Sequence, residues 1–377
     1  MTGLYLHIPF CRRKCPYCDF YSLEPAETQL AAYPPLLIRH LRLAARQAQV
    51  QGPFATVFFG GGTPSLLPPA AIGEILGAAD ACFGLADDAE ITLEANPGTL
   101  TRESLRGYRA AGINRLSLGV QSLRARHLQT LGRLHGPDEA RRAVDWARQA
   151  GFANLSLDLM FALPGQSLDD LEAEIAAYLA LAPEHLSCYG LSIEEETPFA
   201  HRHRQGLLRL PDEDQYAAAF LLLHERLAGA GYAHYEISNY ARAGMECRHN
   251  QHYWRRGAHL GVGAGAHSFF ARGWGERWAV APDLAAYQGA LEADRDPARM
   301  LESFDARGAL AETLYLGLRT SAGVAEADLV KGFGQGLGQA FPEAVRRTAP
   351  SLHLTQGRWR FTTEGWLLYD HLISAFF

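Results

Sequence analysis

From residue 1 to about residue 200, short apolar and β-branched runs alternate with longer stretches whose apolar positions recur at helical spacing. The short runs predict strands over residues 4–8, 56–59, 90–95, 115–120, 154–161 and 185–193. Helical periodicity between them covers residues 27–49, 69–83, 102–111, 137–150 and 168–181. Several of these stretches open at a cap residue or a proline and close at a glycine, as at Gly112 and Gly151. Strict alternation of strand and helix implies parallel strands joined by right-handed crossovers. Six repeats fall short of the eight that close a full barrel. The expected fold class is therefore α/β: a partial (β/α)6 TIM-like barrel with a smaller C-terminal α+β or helical domain. A doubly wound open sheet is the alternative on pattern alone.

The alternation stops near residue 200, where Glu194-Glu195-Glu196-Thr197-Pro198 is charged and then broken by proline. Residues 205–230 read as an amphipathic helix with Pro211 and Asp212 as its start signal. Beyond residue 300, helical patterns end in a hairpin over residues 353–362 about Gly357 and a closing helix over 363–376, which suggests a small winged-helix-like unit. Three domains are expected: a barrel over 1–200, an extension over 201–300 and a mainly helical unit over 301–377.

Composition narrows the class. A chain of 377 residues with 48% hydrophobic and 20% charged residues can bury a substantial core without disulfides. The net charge of −6 argues against a nucleic-acid binder driven by phosphate neutralisation. No basic run precedes an apolar segment near the start, and no apolar run of about twenty residues occurs. Cys82, Cys188 and Cys247 are scattered and suggest no disulfide framework. The expectation is a cytoplasmic protein.

The chemistry concentrates in Cys11-Arg12-Arg13-Lys14-Cys15-Pro16-Tyr17-Cys18. Three soft thiolates on one short loop point to metal. A closed zinc site wants four ligands, usually from paired knuckles or a distant histidine pair. A cubane iron–sulfur cluster suits a single loop better, and three cysteines leave one of its irons open to a ligand that is not protein. Arg12, Arg13 and Lys14 either favour the thiolates or are solvated surface charges.

In an alternating α/β fold, functional groups gather at the carboxyl ends of the strands. Gly60-Gly61-Gly62-Thr63-Pro64 follows the second predicted strand, and its glycines either let backbone amides approach a ligand or make a tight turn. Glu94 ends the third strand, where a carboxylate accepts from ribose hydroxyls or caps the next helix. Gln121 lies just past the fourth strand, and Arg133 follows it. Asp158 lies on the apolar fifth strand and needs a partner if buried, either Arg133 or a ligand.

The C-x-x-x-C-x-x-C loop, with Tyr17 before its third cysteine, resembles the cluster loop of the radical S-adenosylmethionine (SAM) enzymes. Over residues 4–270 the ordered motifs are similar to one branch of that superfamily: oxygen-independent coproporphyrinogen III oxidase and its relatives. The resemblance implies a [4Fe–4S] cluster on Cys11, Cys15 and Cys18. It matches Tyr5, Gly61 and Glu94 to positions that hold cluster-bound SAM, and Gly62, Thr63, Gln121, Arg133 and Asp158 to positions around a second SAM. Two departures count against porphyrinogen decarboxylation. Phe20 stands where the oxidase loop has a fourth cysteine, and only ten residues precede the loop.

Both departures resemble the oxidase-like heme chaperones of the HemW type. So does Cys247-Arg248-His249-Asn250-Gln251-His252-Tyr253-Trp254, which contains their H-N-x-x-Y-W motif. The motif implies a heme site at His249, Asn250, Tyr253 and Trp254. Imidazole can ligate iron, aromatic rings can stack on a macrocycle, and Arg248, Arg255 and Arg256 can meet propionates. Read without the family, Tyr253 and Trp254 are more often ordinary packing residues beside a loop histidine, and the resemblance reverses that. The following run Gly261 to Ser268 suits a strand in close backbone contact with a neighbour. The resemblance thus implies a protein that binds heme and delivers it to an acceptor, a respiratory enzyme for example, with peripheral membrane contact through that acceptor. The alternatives are oxidative decarboxylation of coproporphyrinogen III and a radical methyl transfer that opens heme.

Overall fold

The computed structural model describes residues 2–47 and 52–377. The last two positions of the first predicted helix, Ala48 and Gln49, lie outside them. Strands β1 (Thr2–Ile8), β2 (Phe54–Gly61), β3 (Leu85–Ala95), β4 (Arg115–Gln121), β5 (Leu155–Phe161) and β6 (His185–Gly190) are parallel and adjacent in chain order. Each crossover carries a helix. The helices start where the local chemistry allows. Thr101 and Ser167 accept from backbone N–H groups of the first turn, and prolines open the helices Pro69–Phe83 and Pro137–Gln149, where an N–H would lack a partner anyway. Leu4, Leu6 and Ile8, together with Val57, Phe59 and Leu116, are fully buried, as expected for strands covered by helices.

The remaining strands extend this sheet at both edges. Beyond β6 lie the antiparallel β8 (Asn239–Ala241) and β7 (Ala233–Glu236). Beyond β1 comes β9 (His259–Val262), a seventh parallel strand, followed by the antiparallel β10 (His267–Phe270), β11 (Glu276–Val280) and β12 (Ala298–Ser303). The strand order runs from β12 to β7 and so has two ends, which makes this an open, partial barrel. The stretch 261–268 is two strands joined by a turn, in place of the single strand expected. Gly263 and Gly265 both have positive φ there, and a Cβ on Gly261 would lie 2.1 Å from the His267 carbonyl oxygen.

The C-terminal stretch forms a separate three-stranded sheet, β13 (Val324–Ala325), β14 (Leu352–Thr355) and β15 (Arg358–Phe361), with helices around it. Gln356 and Gly357 both have positive φ, the conformation of a two-residue hairpin turn matched to strand twist. The expected closing helix over 363–376 is instead three short pieces, Thr363–Leu367, Tyr369–Ile373 and Ser374–Phe376. Among the described residues no helix is long and apolar enough to cross a membrane.

Candidate functional site

The cysteine loop leaves the carboxyl end of β1 and is tied down from two sides. Arg12 donates to the Gly98 carbonyl (3.1 Å) and Arg13 to the Gly132 carbonyl (2.5 Å), so both cations pin the loop to segments after β3 and β4. Cys11, Cys15 and Cys18 are half-buried free thiols. Thr63 Oγ1 donates to Cys11 Sγ (3.5 Å) and Arg133 Nη1 to Cys15 Sγ (3.5 Å). These contacts hold the two sulfurs in place at the carboxyl ends of the strands. No group of three Cys, His, Asp or Glu side chains among the described residues is placed to share one ion. A cubane gives each thiolate its own iron, so three separated soft donors fit it.

The three cysteines border a cavity of about 580 Å³ with Gly61, Gly62, Thr63, Glu94, Gln121, Arg133 and Asp158. Strand direction brings them together, because Gly61, Gly62, Thr63, Glu94, Gln121 and Arg133 lie at or after the ends of β2, β3 and β4 on the same side, and Asp158 faces the space from the middle of β5. The glycines are required. A Cβ on Gly61, whose φ is +113°, would strike the His7 ring, and one on Gly62 would lie 2.5 Å from the Phe10 carbonyl oxygen. Gln121 holds a left-handed φ of 64°, uncommon for a residue with a Cβ, and this turns the chain at the cavity rim.

Two acids face this space. Glu94 accepts from the Gly61 N–H (3.3 Å), and burial, then the nearby Asp158 charge, raises its carboxyl to about 8. Burial raises Asp158 to about 6, opposed by the Ser117 hydroxyl that donates to it (3.3 Å). Arg133 does not pair with Asp158. It donates to the Gly119 carbonyl (2.6 Å), to Asn96 and to Cys15.

A second cavity of about 790 Å³ lies on the inner face of β1 and β9 to β12. Tyr253 and Trp254 line it, and so does Tyr5, which donates to or accepts from His7 Nδ1 (3.1 Å) and borders this space, not the one with the cysteines. His7, Tyr21, Arg256, His259, His267, Phe269, Arg277 and Arg299 also line it, and sequence reasoning singled out only Arg256 among these. Asp19 and Phe20, immediately after the last cysteine, border both cavities.

His249 does not face either space. It is 1% exposed, with Nδ1 on the Thr56 hydroxyl (2.8 Å) and Nε2 on the Tyr253 hydroxyl (2.8 Å), and burial pushes its pKa well down. With both nitrogens engaged, its work in this fold is to set the position of Tyr253. Asn250 borders neither cavity. The short helix Arg248–Trp254 is anchored by Glu90, which accepts from the backbone N–H of Arg248 and of His249 (3.0 Å each). The three expected propionate partners are also engaged: Arg248 with Asp88, Arg255 with Gln251 and Arg256 with Glu312.

Residues 5–176 match the model of the radical SAM superfamily. The heme chaperone HemW of Bacillus subtilis is 33% identical over 383 residues, covering 100% of this chain and 99% of that protein. The chain belongs to the HemW family. HemW of Escherichia coli is 44% identical over 266 residues, 70% of this chain and 69% of that protein. In structure the chain is similar to the Escherichia coli coproporphyrinogen III oxidase HemN, a radical SAM enzyme, with a TM-score of 0.85 and 21% identity over all of this chain and 89% of that one. That likeness shows the fold, a radical SAM partial barrel.

Proposed function

We propose that this protein binds heme and hands it to an acceptor protein, working in the cytoplasm. The carrying observation is the second cavity, whose lining mixes aromatic, imidazole and guanidinium groups and which meets the cysteine loop at Asp19 and Phe20. Its volume lies in the range of small-molecule and cofactor sites. The full-length resemblance to a protein named a heme chaperone supports the same reading.

On this reading Cys11, Cys15 and Cys18 hold a [4Fe–4S] cluster, with SAM in the smaller cavity. Such a cluster, when bound, supplies one electron for cleavage of the SAM sulfonium. The chain's own groups do the positioning. Gly61, Gly62 and Thr63 let backbone amides reach the ligand, Glu94 accepts from its hydroxyls, and Arg133 holds Cys15 while Gln121 and Asp158 close the far wall. The 301–377 unit serves as a lid or a partner surface, and any membrane contact is made through the acceptor.

The test loads the reconstituted protein with heme and mixes it with heme-depleted respiratory membranes. Expected is restored oxidase activity, faster than with heme carried by albumin. Conversion of coproporphyrinogen III with SAM and a reductant, at roughly one turnover per minute or faster, overturns the reading in favour of a decarboxylating enzyme.

A further inference from the structure

We propose that His267 is the iron ligand of the heme in the second cavity and that Arg299 meets a heme propionate. This deepens the heme-binding reading above and rests on it. Residues directly opposite in a ladder point to one face. Tyr5 pairs with Gly261, His267 with Ala279, and Ala279 with Arg299. The Phe269–His259 pair on β10 and β9 sets Gly261 opposite His267. One row therefore crosses five strands: Tyr5, Gly261, His267, Ala279, Arg299. A glycine and an alanine flank the imidazole, so a shallow trough runs on both sides of it. His267 and Arg299 lie two strands apart, about 10 Å between Cα atoms, the scale of a porphyrin from its metal to its carboxylate edge.

The other imidazoles of the cavity are less available. His7 is engaged at both nitrogens, with Tyr5 and with the Tyr21 carbonyl. His259 is buried, gives Nδ1 to the Gly257 carbonyl (3.1 Å) and is enclosed by the Tyr253 and Phe269 rings. His267 is exposed to the cavity, with no hydrogen bond from its ring among the described residues. Partial burial at the cavity wall, and next the Arg277 charge, lowers its pKa, which favours the neutral form a metal ligand needs. The guanidinium groups divide in the same way. Arg256 and Arg277 are both committed to Glu312, whereas Arg299 has no ion pair among the described residues. Trp254 and Tyr21 supply aromatic surface for the macrocycle.

The experiment titrates ferric heme into the full-length protein and reads affinity, the Soret band and the electron paramagnetic resonance spectrum. In His267→Ala the histidine-ligated signature disappears and affinity falls at least about tenfold. Free imidazole restores the spectrum. Arg299→Ala keeps the spectrum, weakens heme about fivefold and erases the preference for heme over its dimethyl ester. An unchanged spectrum in His267→Ala, or loss of the signature in His259→Ala with His267→Ala intact, overturns the assignment. If the unsubstituted protein binds no heme, the reading of function fails first, and the proposal with it.

Discussion

The two cavities meet at Asp19 and Phe20, yet they are built by different rules. The smaller one is assembled from the ends of parallel strands, where each crossover delivers one short segment to the same rim. The larger one is assembled across an antiparallel extension, where side chains on neighbouring strands form rows. In the first, chemistry is local in sequence: three cysteines within eight residues, two glycines and a threonine together, a carboxylate at a strand end. In the second it is distributed, since His267, Ala279 and Arg299 become neighbours only through strand pairing.

Cys15→Ala separates them most sharply. Removing one of three thiolates abolishes the cluster, so iron and sulfide content falls nearly to zero and the broad absorbance near 400 nm goes with it. Heme binding is expected to persist, because none of its proposed contacts is a cysteine. A parallel collapse of heme affinity would show that the second cavity depends on the first.

The next effect is on stability. His249→Ala leaves a hole and strands the Thr56 and Tyr253 hydroxyls, at a cost of about 2–4 kcal/mol. The urea midpoint is expected to fall at constant slope, while the heme spectrum of the folded fraction keeps its histidine signature. Loss of that signature without loss of stability would return His249 to the role of iron ligand.

These cases also show what the sequence could tell. Alternation of strand and helix made the six parallel strands legible, and their order put Gly61, Glu94 and Gln121 at one rim, with Asp158 on the strand beside them. Residue chemistry alone did not reveal burial. His249 and Asn250 belong to a motif with the chemistry of a heme site, but Glu90 and Thr56, far away in sequence, turn that helix so that only Tyr253 and Trp254 reach the cavity. The strand β9 was caught only by its last two residues, Gly261 and Val262, and run together with β10, because four residues carry no periodicity to speak of. His267 stood in a glycine-rich run whose turn, and hence whose facing direction, depended on two positive-φ glycines.

A smaller effect comes from the acid of the first cavity. Glu94 is raised to about 8 in the folded chain, above the ordinary carboxylate range of the unfolded one, so the folded state binds the proton more tightly. Stability therefore falls as pH rises from about 4.5 to 8 and levels off above that. Glu94→Gln removes this dependence. In SAM-free protein the variant is expected to melt about 2–4 °C higher than the parent at pH 9, with the gap closing toward pH 4. A gap independent of pH would mean that Glu94 ionises freely.

The smallest expected effect probes the wall between the cavities. Phe20 is 65% exposed, so Phe20→Ala removes little from the core and is expected to change stability by no more than about 0.5 kcal/mol. What its ring can touch is ligand, on either side. If it covers heme, the variant releases heme about two to three times faster to apomyoglobin, a loss on the order of 0.5 kcal/mol of apolar contact, with iron and sulfide content unchanged. If it shields the cluster loop, the heme rate stays the same and the cluster bleaches faster in air. The two outcomes assign the shared wall to one cavity or the other, because the first moves only the Soret signal and the second only the cluster absorbance.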